Sequence, residues 1–142
     1  MVTGKITAIK TEIMKRANPE YQLYKQVSTY LKYQYPKILF RFDMAGLNLS
    51  IAQAGMNKAI QCGKGYPDLF IAQKSFQGEY LGLFIELKPE GTKLYKLNGE
   101  PTNDHIQDQV NYLIELDKRG YAAAFGIGFE ATKKIIDNYL KP

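Results

Sequence analysis

The sequence has little cysteine, little histidine and no long hydrophobic run. Cys62 is the only cysteine among 142 residues, so no internal disulfide can form and a cysteine-rich zinc site is excluded. That usage fits a reducing, cytoplasmic compartment. His105 is the only histidine: a paired-histidine metal site lacks its second ligand, and a Ser-His-Asp arrangement has no alternative histidine. Its place in the chain suits a helix N-terminus or the surface. No apolar run approaches the roughly 20 residues of a membrane span, and Met1-Val2-Thr3-Gly4-Lys5-Ile6 lacks the apolar core of a signal peptide. Repeats and low-complexity tracts are absent. Gly63-Lys64-Gly65 lacks the spacing of a P-loop, so nothing points to nucleoside triphosphates.

What remains is an ordinary soluble composition, 45% hydrophobic and 23% charged, at a length that fits one domain with a real core. Nineteen Lys and Arg against 14 Asp and Glu give a net charge of +5, which favours polyanionic partners. Lys58, Lys64, Lys88, Lys93 and Lys96 fall in or near the segments that carry the most informative acids. The first 17 residues are basic and weakly patterned, an arm, a short helix or a dimer contact, and residues 18–142 form the domain.

Asn18-Pro19-Glu20 is a helix start, with Asn as cap and Pro in the first turn. That helix runs to about Tyr33, ahead of Tyr35-Pro36. Lys37–Phe42 reads as a strand, and Ser50 caps a helix through about Gln61. Gly63–Pro67 is a turn, and two strands follow, Pro67–Ala72 and Tyr80–Lys88, separated by the polar Lys74–Glu79. After a polar segment over 89–103, a helix spans Asp104–Lys118, Gly120 leads into a strand over Tyr121–Ile127, and a last helix covers Glu130–Leu140. Gly126-Ile127-Gly128 is read as a strand-to-helix bend. This order predicts an α/β fold, a mixed central sheet flanked by helices. Leu81–Ile85 is apolar at nearly every position, the pattern of a strand covered on both faces.

If the two middle strands form an antiparallel hairpin folded about Gln77, Asp68 falls opposite Glu86. Directly opposed residues sit about 4.5–5.5 Å apart, where two carboxylates repel unless a cation separates them. Hard oxygen ligands suit Mg2+ or Mn2+. Lys88 lies two residues beyond Glu86 and shares its face. Two acids and a lysine beside a metal make a site for phosphodiester cleavage.

Two more polar residues interrupt apolar helix faces. Glu20 shares a face with Leu23, Val27 and Leu31; it either complements the helix dipole or adds a third acid to the site, for a second metal or the water beside the first. Gln109 lies on the face of Ile106, Leu113 and Leu116, either as a satisfied core amide or as a group that orients a site water or Lys88. Gln107 takes that place if the helix is rotated.

Pro67-Asp68 followed by Glu86-Leu87-Lys88 resembles the PD-(D/E)XK nuclease superfamily. With Glu20 upstream, the turn Gly63–Asp68, and Gln109 before Gly120-Tyr121, the arrangement resembles the VRR-NUC branch over about residues 18–140. That branch includes small stand-alone proteins, often carried by phages, and domains of larger DNA-repair nucleases. The resemblance implies a restriction-endonuclease-like core and a metal-dependent deoxyribonuclease. It implies that Asp68, Glu86 and the Leu87 backbone carbonyl bind Mg2+ or Mn2+. It also implies that Lys88 orients the attacking water, Glu20 completes the acidic cluster and Gln109 supports the site. Phe42-Asp43-Met44-Ala45-Gly46 departs from the branch, which often carries an asparagine-containing polar motif there, so Asp43 receives no role.

The first reading is therefore a divalent-metal DNA endonuclease. From other classes come a nucleic-acid-binding module of the same fold without chemistry, and a structural phage component with accidental acids. The intact Asp68, Glu86 and Lys88 argue against lost catalysis. The lack of a separate target-recognition domain argues against sequence-specific restriction. A homodimer acting on branched or four-way junction DNA would place two sites on two strands, with residues 1–17 and Tyr30, Tyr33 and Tyr35 as contact candidates.

Overall fold

A computed structural model describes residues 18–44 and 49–142. The basic arm of residues 1–17 lies outside the described residues, as do Ala45 and Gly46 of the divergent segment. The chain runs α1 (Pro19–Gln34), β1 (Phe40–Phe42), α2 (Ile51–Ala59), β2 (Leu69–Ile71), β3 (Leu83–Lys88), α3 (Asp104–Lys118), β4 (Ala122–Ile127) and α4 (Gly128–Leu140).

The strands form one mixed sheet in the order β1-β2-β3-β4, antiparallel at the first two junctions and parallel between β3 and β4. A parallel neighbour needs a long crossover, and α3 supplies it. The α/β architecture expected from the element order is thus present. The β2–β3 register pairs Leu69 with Ile85, Phe70 with Phe84 and Ile71 with Leu83, a hairpin centred on Gln77 as the sequence predicts. Ser75 and Tyr80 close it: the Ser75 N–H donates to the Tyr80 carbonyl at 3.1 Å.

Alternation along β3 divides its side chains between two faces. Leu83, Ile85 and Leu87 join Leu69 and Ile71 in a core completed by Leu23, Tyr24, Val27 and Leu31 of α1 and by Ile136 and Tyr139 of α4. Each fully buried aliphatic side chain there contributes about 1.5–3 kcal/mol. Phe84, Glu86 and Lys88 belong to the other face, where α3 brings Ile106, Gln109, Leu113 and Leu116. The Phe84 ring stacks on Phe70 at 4.4 Å between centroids.

Several boundaries differ from the sequence expectation, each for a local reason. The first strand starts at Phe40 rather than Lys37, because the Ile38 N–H turns back to the Tyr35 carbonyl at 3.0 Å. Leu81 is 55% exposed and lies outside the strand; its N–H donates to the Gly120 carbonyl, so the doubly covered run begins at Leu83. Gly126-Ile127-Gly128 is the strand-to-helix turn, as the sequence predicts. The strand continues to Ile127 and α4 begins at Gly128 with φ of +79°. Gly126 lets that helix lie close, since a Cβ there would collide with Thr132 Oγ1 and come within 2.9 Å of Ile85 Cγ2. Tyr30 and Tyr35 are engaged inside the fold: both hydroxyls donate to Asp137 Oδ1 on α4. Of the tyrosines expected at a dimer contact, Tyr33 remains broadly exposed.

α2 differs from the other helices. Ser50 and Gln53 form a reciprocal capping box at its start, yet none of its residues is buried. Three of its residues, Ala54, Asn57 and Lys58, border the cavity that holds the site. No helix among the described residues is long and apolar enough to cross a membrane.

Candidate active site

Asp68 immediately precedes β2, and its carboxylate Oδ2 accepts the Leu87 backbone N–H at 2.8 Å. Extending the β2–β3 register by one residue sets Asp68 across from Glu86. Glu86, Lys88 and Gln109 gather on the α3 side of β3. Gln109 Nε2 donates to Glu86 Oε1 at 2.6 Å, and Lys88 Nζ stands 3.8 Å from the same oxygen. The four side chains are strongly withdrawn from solvent, with relative exposures of 8% for Asp68, 4% for Glu86, 8% for Lys88 and 4% for Gln109. The paired arrangement of acids and the same-face lysine expected from the sequence is what the fold assembles.

These residues line a cavity of about 710 Å³ together with Glu20, Asp43 and His105. Glu20, in the first turn of α1, interacts electrostatically with Asp68, Lys88 and His105. Among the described residues, no three His, Cys, Asp or Glu side chains converge as metal ligands. Of the lysines singled out in the sequence, Lys58, Lys64 and Lys88 line the cavity, while Lys93 and Lys96 do not. Asp43 is also on its wall, and its N–H donates to the Asp68 carbonyl at 2.7 Å, which ties β1 to the site.

Burial dominates the titration of the acids. Desolvation lifts Glu86 well above the ordinary carboxylate range, and the neighbouring Asp68 charge lifts it further, against the pull of Lys88. Asp68 is also raised by desolvation, opposed by its hydrogen bonds, including the one from Leu87, and by Lys88. Glu20 is raised by burial and by Asp68. Three acids held above their ordinary values face one lysine, and burial favours their neutral forms unless further positive charge is brought in.

The pattern of unpartnered atoms agrees. Among the described residues, Glu86 Oε2, Gln109 Oε1 and Tyr24 Oη are the buried side-chain polar atoms that make no hydrogen bond of good geometry, although the Tyr24 hydroxyl is near enough to Asp68 to favour its charged form. All three belong to this centre: Asp68, Glu20 and Glu86 all act electrostatically on the Tyr24 hydroxyl, which burial holds well above its ordinary pKa. A buried polar group left without a partner costs about 1–3 kcal/mol, so their concentration at one place is a property of the site. Two adjacent carboxylates, one with a free oxygen, fit a hard divalent cation, which commonly takes one or two protein carboxylates and keeps several waters.

Sequence reasoning missed three contributors. Tyr24 falls outside the Leu23, Val27 and Leu31 stripe singled out in the sequence, although it lies one helical turn beyond Glu20 and its hydroxyl interacts with Asp68. His105 is exposed in the first turn of α3, as expected, but it also lines the cavity, with its Nε2 3.3 Å from Gln109 Nε2. α2 supplies a wall through Ala54, Asn57 and Lys58, of which only Lys58 is singled out in the sequence. Gln109 rather than Gln107 faces the acids; Gln107 instead donates to Asn111 on the surface.

No protein-family model matches the chain, and no curated protein matches it. Among solved structures it is similar to one described as a VRR_NUC domain protein, with 31% sequence identity and a TM-score of 0.45. The likeness covers 61% of this chain, which in turn spans 61% of that one. The chain is thus similar to a VRR_NUC domain protein, the family that its Pro67-Asp68 and Glu86-Leu87-Lys88 resemble.

Proposed function

We propose that this protein is a divalent-metal-dependent endonuclease that hydrolyses DNA phosphodiester bonds at the Asp68–Glu86 centre. The observation that carries the reading is the buried acid pair, with Glu86 Oε2 unpartnered and Lys88 Nζ 3.8 Å from Glu86 Oε1. Asp68 and Glu86, with the Leu87 carbonyl, would hold Mg2+ or Mn2+. Bound there, the cation would supply Lewis-acid stabilisation of the phosphate's developing charge and lower the pKa of the attacking water.

The chain's own groups perform the rest. Leu87 N–H fixes the Asp68 carboxylate, and Gln109 fixes Glu86, so the two acids are preorganised by opposite neighbours. Lys88 brings a cation to the side of the phosphate that gains charge, where a preorganised donor is worth several kcal/mol. Gln109 Oε1 and Tyr24 Oη are buried polar groups available to a water in the cavity. Glu20 supports a second cation or that water. Lys58 and Lys64 on the cavity wall attract the DNA backbone.

A domain of 16.2 kDa with one such centre cuts both strands of a branch most simply as a twofold dimer, so a homodimer acting on junction DNA belongs to the proposal. Cleavage of linear, flapped and four-way DNA in Mg2+, Mn2+ or chelator, with light scattering of the free protein, tests it. Metal-dependent cleavage supports the nuclease. Tight DNA binding without cleavage in any metal would leave the binding module. A monomer without preference for the junction would leave a general metal-dependent nuclease.

A further inference from the structure

Beside the acid-lined cavity lies a second one of about 670 Å³, and Cys62, Lys64 and Tyr66 line both. The shared wall lies against α3 at two points. Gly65, with φ of +93°, presses so closely on α3 that a Cβ would lie 2.8 Å from the Asp108 carbonyl oxygen. At the start of the wall, Cys62 Sγ and Tyr112 Oη are 2.6 Å apart. Beyond it, the Tyr66 and Tyr112 rings meet edge to face at 5.2 Å. Tyr66 is seated edge-on against Phe84 at 5.7 Å, which connects this aromatic pair to the same strand that carries Glu86.

The lining selects for an occupant. Asp108 and Glu115 face the cavity along with Lys64 and Arg119, and Glu115 already takes up Arg119 at 2.6 Å. Such a lining lacks the positive surplus that would hold a phosphate. It offers aromatic rings, with Asn111 and other polar groups at hand for hydrogen bonding, which suits a flat, uncharged heterocycle. Nucleobases stack on tyrosine in this way with little dependence on sequence.

Building on the nuclease reading, we propose that this second cavity receives the unstacked base of a nucleotide next to the scissile phosphate, the substrate strand crossing the Cys62–Tyr66 wall. Taking a base out of a duplex costs a few kcal/mol, and less where it is already unpaired. The subsite therefore favours cleavage beside single-stranded or branched positions, and gives one domain a preference for DNA structure without a separate recognition module.

The test uses the full chain and DNA of defined cleavage position, with the base removed in turn from each nucleotide flanking the cut. Base removal at one flanking position is expected to raise KM on the order of tenfold, the scale of one lost base–aromatic stack. Tyr112→Ala should raise KM for intact DNA by a similar factor, and the two losses should not add. Normal cleavage with KM indifferent to base removal at every flanking position would overturn the subsite and leave the nuclease reading standing, as would fully additive losses. Failure of wild type to cleave any DNA would overturn the nuclease reading, and the subsite with it. If Tyr112→Ala does not fold, the base-removal series on wild type decides alone.

Discussion

Asp68 Oδ2 accepts the backbone N–H of Leu87 at 2.8 Å, so the carboxylate ahead of one strand is held by the residue that follows Glu86 on the next. The bond locks two acids side by side in a buried place, where they are costly unless a cation joins them. Evolution of a stable core alone would avoid that arrangement, since an unpaired buried charge destabilises strongly.

The acid pair should behave as a stability defect that function requires. Glu86→Gln is expected to abolish cleavage and yet raise the stability of the metal-free protein at pH 8, by on the order of 1 kcal/mol, the value of one pKa unit. Asp68→Asn should likewise abolish cleavage with the fold retained. Circular dichroism melts in chelator beside a cleavage assay check both halves; a destabilised Glu86→Gln protein would show that the carboxylate serves the fold.

The pH dependence follows from the direction of the shifts. Asp68 and Glu86 lie above their ordinary values of 3.8 and 4.5 in the folded protein. A raised folded pKa gives stability that is full below the unfolded value and is lost as pH rises through the folded one. Metal-free protein should therefore lose thermal stability as pH climbs from about 4.5 into the alkaline range. Mn2+ should restore it, and by more at pH 8 than at pH 5, because cation binding competes with protons. Thermal melts with and without Mn2+ across that range measure the effect, and a stabilisation independent of pH would place the cation elsewhere.

Lys88→Met should lower kcat by about 100- to 1000-fold, the range for loss of one preorganised electrostatic group, while Mn2+ affinity changes little. Single-turnover rates beside calorimetric titration separate the two. Parallel losses in both would assign Lys88 to holding Glu86 in place.

If Glu20 and Gln109 support the acids rather than bind the first cation, substituting them should give smaller effects. Glu20→Gln and Gln109→Leu are expected to lower metal affinity or rate by about 10- to 100-fold, the usual cost of a supporting group around a metal. A wild-type rate for Glu20→Gln at every metal concentration would return Glu20 to its place at the α1 N-terminus as a dipole partner only.

Much of this centre was legible because its signals are local. The polar stretch Lys74–Glu79 sits symmetrically about Gln77 between two apolar runs, which fixes the hairpin and brings Asp68 to Glu86. Gln109 stands out as an amide on a stripe of Ile106, Leu113 and Leu116, and Glu20 as an acid at the head of the Leu23 stripe. Tyr24 was hidden for the opposite reason: its ring belongs to the core, and only the direction of its hydroxyl shows its contact with the acids. The Cys62–Tyr112 contact joins residues 50 apart, beyond any local pattern. The wall made by α2 was not legible either, since no buried stripe records where an exposed helix lies.

The most direct test is nicking of supercoiled DNA by wild type and Glu86→Gln over a range of Mn2+ concentrations, with chelator as control. The account expects wild type to nick only with the cation and Glu86→Gln to stay inactive at every concentration while still binding DNA. Nicking by wild type in chelator, or by Glu86→Gln at ordinary Mn2+ concentrations, would contradict it.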